Sequence, residues 1–154
     1  MTRIPFAFLA AVLVALAAGC GGDERLTKRE YEEKVRAEYA EVQEAFRATG
    51  ASYGQPDLAD KIEAAQQQLR EAADELDEAK PPEEVEAENQ QIVDGMRRYA
   101  DSLDRLRNAA ERGDFAVIED ATARIADNEA VEQIAEAAER MKFKGYDLGP
   151  IAEE

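Results

Sequence analysis

Val85-Glu86-Ala87-Glu88-Asn89-Gln90-Gln91-Ile92-Val93-Asp94-Gly95-Met96-Arg97-Arg98-Tyr99-Ala100-Asp101-Ser102-Leu103-Asp104-Arg105-Leu106 is the stretch that decides the fold. Val85, Asn89, Ile92, Met96, Tyr99, Leu103, Leu106 and then Ala110 alternate steps of four and three residues without a break. Those steps keep one stripe of an α-helix turned to one side, which predicts a long amphipathic helix. Asn89 is the polar member of the stripe. It could line a pocket, but a buried Asn at such a position more often fixes helix register. Asp94 with Arg98, and Asp101 with Arg105, are spaced for i, i+4 pairs on exposed faces, each contributing a few tenths of a kcal/mol. Gly113 is placed to stop the helix and Asp114 to cap the next one. Arg112-Gly113-Asp114 matches an adhesion tripeptide, but these two structural tasks already account for its Gly and Asp.

Toward the N-terminus, Pro81-Pro82 separates this helix from the one before it, because a residue preceding proline is pushed away from helical geometry. The earlier helix places Ile62, Leu69 and Leu76 at one heptad position and Leu58, Ala65, Ala72 and Ala79 at the other. Such an alanine-lined seam lets a neighbouring helix approach closely. Asp57 stands where an N-cap is needed. The first helix opens at Thr27-Lys28-Arg29-Glu30, which has the form of a capping box, with Leu26 and Tyr31 as its staple. Tyr31, Val35, Tyr39, Val42 and Phe46 follow on one stripe, and Gly50 is the expected stop. Toward the C-terminus a fourth segment runs from Phe115 to about Lys144 through Ile118, Thr122, Ile125, Val131, Ile134, Ala138 and Met141. Its stripe slips near Asp127-Asn128, which predicts a kink or short break. Gly145-Tyr146 has the form of a Schellman ending.

Four one-sided helices with short links imply an all-α fold, an antiparallel up-and-down bundle. A three-helix bundle with the first helix loosely attached satisfies the same stripes. Only 22 Leu, Ile, Val and Phe residues follow Cys20, and the net charge is −16, a composition that borders on disorder. Periodicity is what argues for folding.

The N-terminus carries a different message. Met1-Thr2-Arg3 is a short positive start, Ile4 to Ala18 is almost wholly apolar, and Leu16-Ala17-Ala18-Gly19-Cys20 ends the run on the only cysteine in the chain. That order of regions marks a secretory signal. With cysteine at the cut site it resembles the lipobox signal of bacterial lipoproteins, although that family most often has Leu where this chain has Ala17. The resemblance implies cleavage between Gly19 and Cys20 and a diacylglyceryl group on the Cys20 thiol. It divides the chain into a signal peptide (1–19), a lipidated tether (20–25), a helical bundle (26–149) and a C-terminal tail (150–154). It also implies a location at the cell membrane, lipid-anchored on the extracytoplasmic face. The Ala-rich, Glu/Arg-rich composition looks like that of small lipoproteins of high-GC, actinobacterial-type bacteria, and this adds no activity.

Candidate chemistry is sparse. The chain has no histidine and no tryptophan, so the usual general base and the commonest metal ligand are missing. A chain that would carry −17 after loss of Arg3 is unsuited to nucleic acid. The reading is therefore non-catalytic, with no cofactor and no metal expected. Asp57 to Asp94 holds thirteen acidic residues against Lys61, Arg70 and Lys80. This is either a docking face for a cationic protein partner, a weak Ca²⁺ site, or a solvated face that keeps an exported domain soluble. Tyr31, Tyr39 and Tyr99 fall on core stripes, with the hydroxyl expected at the rim. Tyr53, in the first loop, and Tyr146, near the end, are the expected partner contacts. The function these features favour is an adaptor module held at the membrane. Its rivals are a helical lipoprotein that binds a small ligand or cation, and a carboxylate-dependent hydrolase.

Overall fold

A computed structural model describes residues 25–125 and 127–152, and every described element is helical. The segment expected to be a signal peptide, with Gly19, Cys20 and most of the expected tether, lies outside the described residues. The α-helices are α1 (Lys28–Ala51), α2 (Leu58–Glu78), α3 (Glu86–Ser102), α4 (Asp104–Arg112), α5 (Phe115–Ala123) and α6 (Glu129–Phe143). Short 3-10 turns cover Glu83–Val85 and Gly149–Ala152. Among the described residues no helix is long and apolar enough to cross a membrane.

The capping signals of the sequence act largely as expected. The Thr27 side chain accepts from the Glu30 amide, and the Glu30 carboxylate accepts from the Thr27 amide at 2.9 Å. Gly113 closes α4 at φ 65°, and its Schellman pair is complete, with Asp114 N–H reaching the Ala109 carbonyl at 2.9 Å. The Asp114 carboxylate in turn accepts from the Val117 amide. Two signals act differently. The first helix runs past Gly50 to Ala51, and the left-handed turn falls on Gly54. Asp57 makes no side-chain cap, because its carboxylate faces the Ser52 hydroxyl instead.

Lateral bonds fix the directions of the helices. Lys34 pairs with Glu75 and the Thr49 hydroxyl donates to the Lys61 carbonyl, so α1 and α2 run antiparallel. Arg97 bonds Asp74 and Asp77, and Arg107 lies by Glu63, so α3 and α4 run back along α2. Lys144 pairs with Glu88 and Gln133 donates to the Gln91 carbonyl, so α6 runs back along α3. α1 is no loose appendage, since Tyr31, Val35 and Val42 are buried in the common core with Ile62, Leu69, Leu76, Ile92 and Met141.

Among the described residues six α-helices form rather than four. The fourth segment breaks between Ala123 and Glu129, where the stripe slips. The third breaks at Leu103, which the unbroken stripe does not foretell. There the Gln66 amide of α2 donates to the Ala100 carbonyl at 2.8 Å and to Asp104 at 2.9 Å. A side chain inserted into the carbonyl ladder is a sufficient cause of a hitch. The i, i+4 pairs expected here give way to other partners: Asp101 takes Arg70, Arg105 takes Asp120, and Asp94 accepts from Gln90. The tail is not free either. Leu148 and Ile151 are buried, so the packed domain continues past residue 149.

Candidate functional site

A groove of about 370 Å³ lies between α1 and α2, lined by Glu38, Glu41, Gln68, Glu71, Asp74, Glu75 and Glu78. Five of these seven residues belong to the acidic stretch expected from the sequence. The other two, Glu38 and Glu41, come from α1 and were outside that stretch. Helical spacing explains the convergence. Glu71, Asp74, Glu75 and Glu78 sit three and four residues apart on one outward face of α2. Antiparallel pairing then brings Glu38 and Glu41 alongside.

Lys34 stands at the edge of the groove, with Nζ 2.7 Å from Glu75 and 3.4 Å from Glu38. Burial pushes the Glu38 carboxyl above its ordinary range; Lys34 opposes this and the neighbouring Glu41 and Glu75 reinforce it. Lys34, on Glu75 and Glu38, and Arg97, 2.8 Å from Asp74, thus serve a wall of six carboxylates, and Gln68 meets Glu41 at 3.1 Å. Among the described residues, no three Asp, Glu, His or Cys side chains are arranged to hold a metal ion. The groove spreads its charge along two helices instead of focusing it on a point.

A second polar cluster closes the end of the domain where the described chain begins. Asn89 is buried; its carbonyl accepts from the Tyr31 hydroxyl at 2.8 Å and its amide donates to the Leu76 carbonyl at 3.0 Å. Leu76 is in the last turn of α2, so Asn89 satisfies one of the carbonyls that a helix end leaves orphaned. Asn89 therefore ties three helices in register, and it also lines a groove of about 360 Å³ with Arg25, Asp77, Lys80, Pro81, Glu86 and Gln90. Beside it Glu88 is buried with one oxygen 2.7 Å from Lys144 and the other without a partner. Burial pushes the Glu88 carboxyl up, but the Lys144 hydrogen bond and the charges of Lys144 and Arg140 hold it below the usual range.

Tyr146 belongs to this cluster, which corrects its reading as a surface contact. Only 3% of it is exposed, its hydroxyl donates to Glu84 at 2.6 Å, and its ring meets Tyr31 edge to face at 6.1 Å. Gly145, at φ 86°, turns the chain back so that the ring enters the core. Tyr31 is likewise buried whole, its hydroxyl inside the core and not at the rim. Tyr53 does stand in solvent, in the α1–α2 loop. The exposed aromatics that the stripes did not anticipate are Phe115 and Phe143. Comparison with protein families, curated proteins and solved structures gives no match for this chain.

Proposed function

We propose that the chain is an extracytoplasmic lipoprotein, anchored through lipid on Cys20, whose helical domain is a non-catalytic adaptor for a cationic protein partner. The address rests on Leu16-Ala17-Ala18-Gly19-Cys20 and the apolar run before it. The adaptor role rests on the α1–α2 groove, where six carboxylates line a surface and Lys34 and Arg97 pair with three of them. A long basic helix or strand matches charge spread in this way, whereas a point cation needs converging ligands.

The test is crosslinking in intact cells, followed by co-purification and mass spectrometry. A reproducible partner with a basic face should be recovered with the native chain. It should be lost when Glu38, Glu41, Glu71 and Glu75 are all changed to Gln, while the helical circular dichroism signal persists. Recovery of the protein alone, or a partner indifferent to those changes, overturns the adaptor reading. For the address, Cys20→Ala should abolish lipidation and membrane retention. A mutant that fractionates like the native chain would defeat the lipobox reading.

A further inference from the structure

Phe143 is the most exposed large apolar side chain among the described residues, with 83% of its surface in solvent. A single exposed apolar residue is ordinary on a protein surface, so its position has to decide whether it matters. Three sets of bonds fix that position. Lys144, next to it, donates to the Glu84 carbonyl and to Glu88. Lys28 donates to the Gly145 carbonyl. Arg25 donates to the Pro81 carbonyl and to Glu86. The end of α6, the α2–α3 turn and the first described residue therefore share one end of the domain. Tyr53 and Phe115 lie at the other end, in the α1–α2 and α4–α5 turns, ~40 Å away by the length of α3 and α4 together.

Four residues lie between Cys20 and Arg25, so five peptide steps give a reach of at most ~18 Å. We propose that Phe143 is a second membrane contact, its ring seated in the bilayer interface beside the lipid anchor. This rests on the lipoprotein reading above. One ring offers too little apolar area to hold a free protein on a bilayer, since even a whole myristoyl chain binds only marginally. The anchor changes that by making the second contact intramolecular, at the high effective concentration a short tether sets. Lys142 and Lys144 flank the ring, but Glu83, Glu84 and Glu86 lie at the same end. The contact is accordingly apolar, and neutral phosphatidylcholine suffices for it. Seated this way, the domain holds its far tip in solvent.

The chain has no tryptophan, so Phe143→Trp introduces a single indole, and Phe115→Trp provides the control at the far end. Each full-length variant, purified from membranes, is reconstituted in phosphatidylcholine vesicles with and without brominated acyl chains, and its intact mass is measured. Phe143 is solvent-exposed, so the larger ring is accommodated without repacking. The expected result is a blue-shifted indole at 143, quenched by the brominated lipid severalfold more than the indole at 115. A lipidated protein with equal, weak quenching at both positions overturns the Phe143 contact and leaves the anchor standing. A mass without lipid on Cys20 overturns both.

Discussion

Asn89 makes two bonds with the two ends of one amide, accepting from the Tyr31 hydroxyl and donating to the Leu76 carbonyl. Asn89→Leu keeps roughly the volume, leaves the Leu76 carbonyl without its side-chain partner, and leaves the Tyr31 hydroxyl only the weak Met141 sulfur at 3.9 Å. At ~1–3 kcal/mol for each abandoned group, urea denaturation should show a loss of ~2–6 kcal/mol. Adding Tyr31→Phe removes one of the abandoned groups, so the double variant should lose less than the two singles summed. A single variant within ~0.5 kcal/mol of native would sink this account. Glu88 makes the corresponding statement about pH. Its folded carboxyl titrates below the ordinary value, so its stabilisation is present above about pH 4.3 and is lost as pH falls through the folded value. Glu38, raised by burial, works in the opposite direction. Glu88→Gln should therefore be less stable at pH 7 and lose less than native on descent from pH 4.5 to 3. Parallel acid curves for the two proteins would refute the assignment. Asn89 was legible because a polar residue on an unbroken apolar stripe has to be explained. Tyr146 was not, because its burial depends on where the chain lands after Gly145. Gln66 was not, because nothing in Gln66-Gln67-Gln68 says which amide will meet the Ala100 carbonyl.

At the scale of elements, α3 and α6 approach through Gly95, which the stripe also left unremarked. A glycine inside a helix ordinarily costs ~0.5–1 kcal/mol relative to alanine. Here a Cβ would stand 2.6 Å from Ile134 Cγ1 and 3.2 Å from the Ala130 carbonyl oxygen. Ile134 can yield in part, but the carbonyl belongs to the α6 backbone and cannot without separating the helices. Gly95→Ala should therefore lower the thermal midpoint despite its better helix propensity, and a raised midpoint would show that the contact gives way freely. The two helix breaks have a shared consequence. Leu103 and the Arg124–Asn128 break lie at one level, where the Asn128 amide bonds the Ser102 hydroxyl at 2.9 Å. Beyond that level the α4–α5 hairpin is thinly held. α5 buries Ile118 fully and α4 buries Leu106 and Ala109, against eight buried positions in α3. Elements with few buried contacts open locally. Hydrogen exchange should be faster over residues 104–123 than over 62–76 and 86–102, and uniform protection would count against an independent hairpin. The slip at Asp127-Asn128 was legible because one break in a stripe has one local cause. The hitch at Leu103 was not, because its cause sits on another helix.

For the whole molecule, the balance lies between ion pairs that cross helices and a net charge of −16. The ion pairs are mostly exposed, Arg70–Asp101 and Arg97–Asp74 among them, and such pairs contribute ~0–1 kcal/mol each. The sign of the charge was legible from composition. The place where it concentrates was only half legible, because Glu38 and Glu41 join the groove through the pairing of α1 with α2, a long-range contact that no local spacing encodes. Salt separates the two contributions. At 0.01 M the Debye length is ~30 Å, close to the size of the domain, so carboxylates on every face repel one another; at 0.15 M it is ~8 Å and only neighbours interact. A pair bonded at 3 Å keeps most of its attraction across that range, while repulsion summed over the surface is largely removed. The thermal midpoint should therefore rise as NaCl increases from 0.01 to 0.15 M. The groove should supply a disproportionate share of that rise, because six carboxylates face one another there while Lys34 and Arg97 pair with three of them. Glu71→Gln with Glu41→Gln should raise the midpoint in low salt and shrink the salt increment, without disturbing a buried group. A midpoint that falls with salt would mean that the ion pairs dominate, and the groove would then have no unspent negative potential with which to attract a cationic partner.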